Sequence, residues 1–373
     1  MKYKIAFFPG DGVGPELAEQ GIKIIDKAAE LGKFEIEWVE YPYGADHLAE
    51  TKETLSEKIL KEIKNSCNAI YCGTFDVAEQ NGKNIPSIIR NYFEQFVALR
   101  PIKLFPTVES PLSGKTHNEI NFTLIRENTE DLYVNVSGTA KNGRNRQQLE
   151  INNNSFKAKF SLSIETKGSE IAYQIGVLSK KGCERIARYA FEYAKRKNMT
   201  KISAIDKANM LNYHKLWRES FDSVAKDYDS IKHEFSLIGS TIINLIRQPE
   251  KYEIIVAPNM LGDILSDLCT TLQGSVLFAA RGSINPQGIS MFEPVHGSAP
   301  KLKGQGILNP IATIYAGALM LDNIGQQKSS DLIIKSIEFI LKDERIRTQD
   351  IDGHNTTAEM AEAILDKFVE LHD

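Results

Sequence analysis

The sequence predicts an α/β protein in two lobes, with a parallel sheet in its core. Short apolar runs alternate with longer segments whose apolar residues recur at helical spacing, which is typical of parallel strands covered by helices. The chain has 373 residues, more than one hydrophobic core usually organises. A polar stretch over residues 134–173 interrupts this alternation, and we expect it to form a β-arm of the second lobe.

The N-terminal elements establish the alternation. We predict a strand over 4–8, a turn over 9–15, a helix over 16–30, a strand over 34–41, a helix over 55–65 and a strand over 68–72. Gly10, Gly12 and Gly14 in the turn resemble a dinucleotide-binding loop. Their spacing departs from the Rossmann fingerprint and Pro15 opens the next helix, so we interpret them as turn residues.

The remaining elements continue the alternation after a helical run over 91–99. We predict a helix over 180–197, a strand over 201–205, a helix after Met210, a strand over 254–257 and a helix over 259–268. The first lobe is expected to be discontinuous, with residues 1–95 and 274–373. The second lobe is expected to take residues 96–273, including the dimer interface and the β-arm.

Composition and charge exclude several classes of function. The net charge of −4 leaves no basic excess for a nucleic-acid surface, so we expect no nucleic-acid partner. No apolar run reaches the roughly 20 residues that span a bilayer, and the N-terminus lacks the apolar core of a signal peptide. Four cysteines without a Cys-x-x-Cys pair are typical of free thiols. We therefore expect a cytoplasmic protein without a membrane partner.

Two carboxylates in the segment 259–268 are candidates for a metal site. Asp263 and Asp267 are four residues apart, so on a helix they share one face. Like charges at this spacing repel by roughly 0.2–0.5 kcal/mol, and we expect a cation beside them. Mg²⁺ or Mn²⁺ fits, because hard cations take oxygen ligands and keep positions open for a substrate. Taken alone, the pair is better explained as a solvated helix face.

Three arginines are candidates for binding a polycarboxylate. Arg90 and Arg100 flank the predicted helical run 91–99, and Arg126 follows the apolar strand 122–125. We expect these positions at strand ends or lobe junctions, where guanidinium groups near a metal can bind carboxylates. Each arginine by itself is better explained as a surface cation.

Tyr133 and Lys207 are candidate acid and base groups. Lys207 comes just after the predicted strand 201–205, and a metal nearby would lower the pKa of its amine enough for it to take a hydroxyl proton. An ordinary surface lysine and a half-buried tyrosine are the alternative interpretations.

Further motifs are spread over the whole chain. They are Gly-Asp-Gly-Val-Gly-Pro-Glu (10–16), Leu-Arg-Pro (99–101), Arg-Glu-Asn-Thr-Glu-Asp-Leu-Tyr (126–133), Lys-Ala-Asn (207–209), Asn-Met-Leu-Gly-Asp-Ile-Leu-Ser-Asp (259–267), Phe-Glu-Pro-Val-His-Gly-Ser-Ala-Pro (292–300), Asn-Pro (309–310) and Arg-Thr-Gln-Asp-Ile-Asp-Gly (347–353). In this order the chain resembles the metal-dependent β-decarboxylating dehydrogenases, the isocitrate/3-isopropylmalate dehydrogenase family. The resemblance implies a two-lobed isocitrate/isopropylmalate dehydrogenase-like fold with a parallel sheet core and a protruding β-arm.

The resemblance also implies roles for matching residues. Those implied in binding a malate-like substrate are Arg90, Arg100 and Arg126, and those implied in binding Mg²⁺ or Mn²⁺ are Asp263 and Asp267. Lys207 is implied to assist hydroxyl deprotonation in the partner subunit's site, and Tyr133 to deliver a proton to carbon after CO₂ is lost. The residues implied in binding NADP or NAD are His296, Gly297, Ser298, Ala299, Pro300, Lys301, Asn309 and Asp350. A homodimer with shared active sites is implied as well.

One departure from the family concerns the metal. Counting back from Pro249, Gly239 stands where the family carries a third metal-binding Asp, supplied by the neighbouring subunit. Ser240 next to it is a neutral and weaker ligand. A missing carboxylate should weaken metal affinity, because charge dominates the binding of hard cations. We expect an active enzyme, with a non-catalytic regulatory subunit as the alternative.

Two further departures concern specificity. Isocitrate enzymes usually have Ser and Asn where this chain has Asn84 and Pro86. Lys83 or Asn84 could bind a distal carboxylate, which favours isocitrate or a homologue such as homoisocitrate. Isocitrate is our first expectation, with 3-isopropylmalate or homoisocitrate as the alternatives. Lys301 replaces an Asp typical of NAD-dependent members, and its charge favours the 2′-phosphate of NADP. Arg281 adds another charge near the expected cofactor position.

Overall fold

The computed structural model describes residues 1–76, 84–152 and 156–372, which form two compact units. The first unit comprises Met1–Asn121 and Leu268–Asp373, and the second comprises Phe122–Asp267. The predicted boundaries at 95/96 and 273/274 both lie inside the first unit as the structure divides the chain.

The strands of the described residues follow the chain in this order: β1 (Lys2–Gly10), β2 (Glu35–Glu40), β3 (Ala69–Thr74), β4 (Val97–Lys103), β5 (Asn121–Glu127), β6 (Ser137–Ala140), β7 (Gly143–Asn152), β8 (Lys157–Thr166), β9 (Ile171–Gln174), β10 (Lys201–Asp206), β11 (Lys232–Leu237), β12 (Ile254–Ala257), β13 (Ala280–Ile284) and β14 (Met291–Pro294).

The α-helices of the same residues are α1 (Gly14–Gly32), α2 (Ala45–Thr51), α3 (Glu57–Ser66), α4 (Ile85–Tyr92), α5 (Lys180–Arg196), α6 (His214–Ala225), α7 (Ile238–Arg247), α8 (Asn259–Leu272), α9 (Ile311–Asn323), α10 (Gln327–Asp343) and α11 (Thr357–His372). Short 3₁₀ turns occur at Pro249–Lys251, Val276–Phe278, Pro300–Leu302 and Gln349–Ile351.

The first unit is built on a mixed sheet in the order β2-β1-β3-β14-β13-β4. Strand β1 runs parallel to β2 and β3, and β14 runs parallel to β3, whereas β13 is antiparallel to both neighbours. Helix α9 is buried around its whole circumference from Ile311 to Leu321, so it forms the centre of this unit's core. The parallel α/β architecture predicted from the alternating pattern is confirmed.

The second unit contains four parallel strands in the order β11-β10-β12-β5. Helices α5 and α6 pack against each other, and Phe191, Trp217 and Phe221 are fully buried. The predicted arm is β-structure, with β6 antiparallel to β9 and β7 antiparallel to β8. Residues on one side of β7 and β8 are more buried than those on the other, as the alternating sequence indicated.

The helical run predicted over 91–99 is wrong. Helix α4 ends at Tyr92, Glu94 adopts a left-handed backbone with φ of 53°, and β4 begins at Val97. Arg100 therefore lies within a strand that pairs with β13, where Leu99 is opposite Gly282. The apolar residues at 97–99 fit a buried strand as well as a helix, and only strand pairing decides between them.

Two other predictions concern the whole chain. The four cysteines are free thiols, as predicted, and all of them are buried. Among the helices of the described residues, none is both long and apolar enough to cross a membrane.

Candidate active site

The centre of the candidate site in the second unit is an ion pair between a strand and a helix. Arg126 in β5 donates from Nη1 to Oδ1 of Asp263, in the second turn of α8, and from Nε to Asn259 Oδ1 at 2.9 Å. A Cβ at Gly262 would lie 2.8 Å from Cβ and Cγ of Arg126. Glycine at this position therefore lets the arginine stem pack directly against the helix backbone.

Tyr133 completes this cluster. Its hydroxyl donates to Oδ2 of Asp263 at 3.0 Å, and the Arg126 guanidinium lies 5.7 Å from the centre of its ring. Partial burial and the hydrogen bond to Asp263 raise the pKa of Tyr133 above its usual value. The phenol therefore keeps its proton at neutral pH, as a proton donor must.

The sequence predicted a cation beside Asp263, and the structure supplies the Arg126 guanidinium. Asp267 is exposed, one helical turn beyond Asp263. Two carboxylates on one helix face are hard oxygen donors of the kind that Mg²⁺ and Mn²⁺ prefer. No group of three or more His, Cys, Asp or Glu residues in the described ranges could hold a metal ion. The donor set thus fits a divalent cation that takes its other ligands from water or substrate.

Lys207 follows the end of β10 and begins a turn. Its backbone N–H donates to Nδ1 of His214 at 3.0 Å, and its carbonyl accepts from Met210 and Leu211. The structure thus brings Arg126, Tyr133 and Asp263 into mutual contact, whereas the contacts of Lys207 lie with its own turn and with α6.

Several charged residues around this cluster were missed by the sequence analysis. Glu127 and Glu130 are both buried, and Arg185 donates to Glu127 Oε1 at 3.2 Å. Burial and the neighbouring Glu127 raise the pKa of Glu130 to about 7, against two hydrogen bonds from Ser179. The only sequence signal was the position of both acids inside the motif at 126–133.

In the first unit, the glycine turn supports the loop proposed to bind the cofactor. Gly12 has φ of 59°, and a Cβ there would lie 2.1 Å from the carbonyl oxygen of Ser298. That carbonyl accepts the Val13 N–H at 2.8 Å, and Ser298 Oγ donates to Asp76 at 2.6 Å. Of the three glycines interpreted as turn residues, Gly12 lies in the turn, whereas Gly10 ends β1 and Gly14 begins α1. The turn contacts the loop directly through Gly12.

His296 has a nitrogen suited to a ligand. The residue is buried, and its Nδ1 lies 3.1 Å from the Gly297 carbonyl, so the ring donates there and Nε2 is left as an acceptor. Within the described ranges, that buried Nε2 has no hydrogen-bond partner. Burial lowers the pKa of His296, so the ring is neutral. Open space where Gly297 would carry a Cβ adds room, and this loop therefore fits a nucleotide.

Five further residues were predicted to bind the cofactor, and they are Ala299, Pro300, Lys301, Asn309 and Asp350. Asn309 is fully buried, accepts the Ile311 N–H at the start of α9 and donates to Asp350 Oδ2 at 3.1 Å. Thr348 donates to the other oxygen of Asp350 at 2.6 Å. Ala299 has φ of 39°, and Pro300 and Lys301 form the following 3₁₀ turn, with Lys301 exposed.

The substrate-binding residues predicted in the first unit are less closely grouped than Arg126, Tyr133 and Asp263 in the second unit. Arg281 and Glu293 are opposite each other in β13 and β14, with Nε donating to Oε1 at 2.9 Å, and Arg90 Nη1 lies 3.8 Å from the same oxygen. The charge of Arg281 is therefore matched by Glu293. Arg100 is buried in β4. Asn84 caps α4 by accepting the Ser87 N–H at 2.9 Å, and Lys83 lies outside the described residues.

Comparison with known proteins agrees with this geometry. The sequence pattern described as isocitrate/isopropylmalate dehydrogenase matches residues 4–364. The chain is 33% identical to the D-malate dehydrogenase [decarboxylating] of Escherichia coli (strain K12), over 97% of both chains. It is 34% identical to the homoisocitrate dehydrogenase of Methanocaldococcus jannaschii, over 97% of this chain and 96% of that one. A solved structure of isocitrate dehydrogenase from Methylococcus capsulatus superposes with a TM-score of 0.81 at 29% identity, covering 98% of this chain and 99% of that one.

These matches define an oxidoreductase of the metal-dependent decarboxylating class. The chain belongs to the isocitrate/isopropylmalate dehydrogenase family, whose members generally use NAD(P) with Mg²⁺ or Mn²⁺ and act on small polycarboxylates.

Proposed function

We propose that this protein oxidises a 2-hydroxy acid bearing a β-carboxylate and releases that carboxylate as CO₂. The contact of Arg126, Tyr133 and Asp263 carries the proposal, because it joins an anion-binding group, a proton donor and a metal ligand in one cluster. The same cluster argues against the alternative of a non-catalytic regulatory subunit, which would have no use for the tyrosine.

The residues have distinct tasks in this reaction. When bound, the nicotinamide accepts a hydride from the hydroxyl-bearing carbon and the divalent cation polarises the substrate oxygens. Lys207 takes the hydroxyl proton. Tyr133 gives a proton to the carbon that loses CO₂. Asp263 and Asp267 would hold the cation, and an Arg126 guanidinium released from Asp263 would be available to a substrate carboxylate. Arg90 and Arg100 are proposed as further carboxylate-binding residues on the family resemblance.

Isocitrate is our first candidate substrate. Asn84 uses its Oδ1 to cap α4, which leaves the Nδ2 amide as a donor for a distal carboxylate. D-malate is the second candidate, because the Escherichia coli relative of that name matches over 97% of both chains. Homoisocitrate, 3-isopropylmalate and tartrate complete the set to be assayed.

We propose NADP as the preferred cofactor, held by the residues from His296 to Lys301 with Asn309 and Asp350. The exposed ammonium of Lys301 suits a 2′-phosphate and cannot accept hydrogen bonds from a ribose diol. The unfilled acceptor on His296 Nε2 suits a donor group of the nucleotide.

We also propose a homodimer in which Lys207 acts in the partner's site. Ile243 and Ile246 of α7 and Ile264 of α8 are 54%, 47% and 52% exposed in the single chain. Exposed isoleucines on two helices of the second unit are typical of an interface. Light scattering after gel filtration measures the oligomeric state.

The test is reduction of NADP or NAD by the purified protein with Mn²⁺, with isocitrate, homoisocitrate, 3-isopropylmalate, D-malate and tartrate each supplied in turn. Turnover with one pair, lost in Lys207→Ala, supports the proposal and identifies substrate and cofactor together. No turnover with any pair by a folded dimer would contradict it and return attention to Gly239.

A further inference from the structure

Two buried polar side chains face each other in the second unit, and neither has a role in the reaction proposed above. Asp131 is 0% exposed and His214 is 1% exposed. Oδ1 of Asp131 and Nε2 of His214 are 3.9 Å apart. Burying a carboxylate is unfavourable unless polar groups surround it, so this pair is expected to organise what it contacts.

His214 contacts the turn that carries Lys207. Its Nδ1 accepts the Lys207 N–H at 3.0 Å, so the ring proton is on Nε2, the nitrogen that faces Asp131. The next amide, of Ala208, donates to buried Asp206 at 2.8 Å, and Arg218 holds that carboxylate with hydrogen bonds of 2.6 and 3.0 Å. The backbone N–H groups of Lys207 and Ala208 are therefore held by side chains rather than by a helix or a strand.

Asp131 contacts the start of the helix that carries Asp263. Its Oδ2 accepts the Met260 N–H at 2.9 Å, in the first turn of α8, and its Oδ1 accepts the Tyr213 hydroxyl at 2.7 Å. Two residues later the chain reaches Tyr133, and α8 carries Asp263. A carboxylate at a helix N-terminus also stabilises the helix through its dipole.

The backbone at Asp131 is held in an unusual conformation. Its φ is 70°, in the left-handed region, and its N–H and C=O both pair with Val177, at 2.8 and 3.2 Å. Burial would raise the pKa of Asp131, but the nearby His214 ring and the hydrogen bonds from Tyr213 and Met260 outweigh it and lower the pKa. The group is therefore an anion at neutral pH.

We propose that Asp131 and His214 are positioning residues that hold the Lys207 turn, which acts in the partner's site, in a fixed relation to Tyr133 and to the start of the metal-binding helix of its own chain. The proposal rests on the proposed function for the tasks of Lys207, Tyr133 and Asp263. A displacement of about 1 Å at a reacting group can lower a rate by about 10²-fold, so such an anchor matters for turnover.

Two substitutions of His214 separate the two ring nitrogens. In His214→Asn the amide oxygen can occupy the place of Nδ1 and still accept the Lys207 N–H. In His214→Gln the amide reaches toward Asp131, and the Lys207 N–H loses its acceptor. We expect hydrogen exchange of the backbone over residues 206–211 to be about tenfold faster in His214→Gln and close to wild type in His214→Asn.

Exchange measured on the folded protein without substrate does not depend on activity. Equal protection of residues 206–211 in both variants and wild type would overturn the proposal, as would faster exchange spread evenly over the second unit. Should the wild type turn over none of the substrates, the proposed function fails, and the exchange result still decides whether the anchor exists.

A double-mutant cycle then tests whether His214 acts through Lys207. We expect His214→Gln to lower kcat about 10–100-fold with KM changed less than about twofold, and to shift the acidic limb of the kcat pH profile. In a Lys207→Ala background the same substitution is expected to lower kcat no further. Equal losses in both backgrounds would show a general structural role and overturn the proposal.

Discussion

The glycine turn of the first unit and the charged cluster of the second unit are held together by different kinds of contact. Gly12 packs against the Ser298 carbonyl with no side chain between them, whereas Arg126, Tyr133 and Asp263 are joined by charge and side-chain hydrogen bonds. A backbone contact of this kind cannot exchange one partner for another. Charged side chains can exchange partners when a metal or a substrate carboxylate arrives. Substitutions in the turn should therefore disturb the fold, and those in the cluster should disturb the chemistry.

The largest effect is expected for Tyr133→Phe. The substitution keeps the ring beside Arg126 and removes the hydroxyl, so we expect turnover to fall about 10²–10⁴-fold, the usual contribution of a positioned proton donor. Tyr133 is 47% exposed, and thermal unfolding should be nearly unchanged. Rates of nicotinamide reduction and melting curves measure the two quantities.

Tyr228→Phe is the control for this substitution, because it removes a hydroxyl bonded to Glu192 on the surface. A loss in Tyr133→Phe as small as in this control would remove Tyr133 from the reaction.

The next effect concerns pH and the buried Glu130. Its pKa is raised from 4.5 to about 7 in the folded protein, so between these values the native state binds more protons than the unfolded state. Stability should fall as pH rises through this window, by up to about 3 kcal/mol. Glu130→Gln cannot lose a proton, so this part of the pH dependence should vanish.

Urea unfolding of wild type and Glu130→Gln at about pH 5 and about pH 7.5 gives the slopes. Glu119→Gln serves as a control that should retain the wild-type slope, because the pKa of the half-buried Glu119 is lowered rather than raised. If Glu130→Gln also retained it, Glu130 would not be the group that titrates.

A smaller effect is expected for Gly12→Ala in the glycine turn. The left-handed backbone costs about 1–2 kcal/mol for a residue with a Cβ, and contact with the Ser298 carbonyl adds to this cost. We expect a stability loss of about 2 kcal/mol or more and weaker dinucleotide binding, measured by urea unfolding and calorimetry.

Gly304→Ala is the matched control, since Gly304 has φ of 75° and open space where a Cβ would lie. Gly304→Ala should lose only the stability that the left-handed backbone costs. Equal losses in the two variants would mean that the turn does not support the loop by close packing.

The smallest effect is expected for Gly239→Asp. Open space surrounds a Cβ at this position in the first turn of α7, so the carboxylate fits and is favourable near the helix N-terminus. With a third carboxylate in the assembled dimer, we expect Mn²⁺ to bind about tenfold more tightly, or by about 1.4 kcal/mol. Titration followed by electron paramagnetic resonance measures the affinity. Ser240→Asp adds the same charge one residue away. An equal gain in Mn²⁺ affinity in that variant would mean that the effect comes from net charge and not from a ligand at position 239.

Much of the fold was predictable because its signals are local. The alternation of strands and helices, the glycine turn and the helix that carries Asp263 all followed from spacing within short segments. The segment after Arg90 was mispredicted for a related reason. Its apolar residues fit either period, and the strand at Val97 exists because β13 pairs with it.

The candidate site was predictable only as a set of residues. Sequence spacing and family resemblance singled out Arg126, Tyr133 and Asp263 but gave no information on which of them touch. Asp131 lies inside the motif at 126–133, but nothing in the sequence indicated that it pairs with His214, since neither spacing nor composition distinguishes a buried charge from a surface one.

The sequence by itself determined the family, the order of the elements and the residues that can carry the chemistry. Only the tertiary structure decided which of these side chains contact each other. Arg126 and Asp263 are 137 positions apart, and Tyr213 and Asp131 are 82 apart. Contacts over such separations exist only once β5, α6 and α8 have packed together, because no local periodicity encodes which distant charge will lie opposite a given side chain.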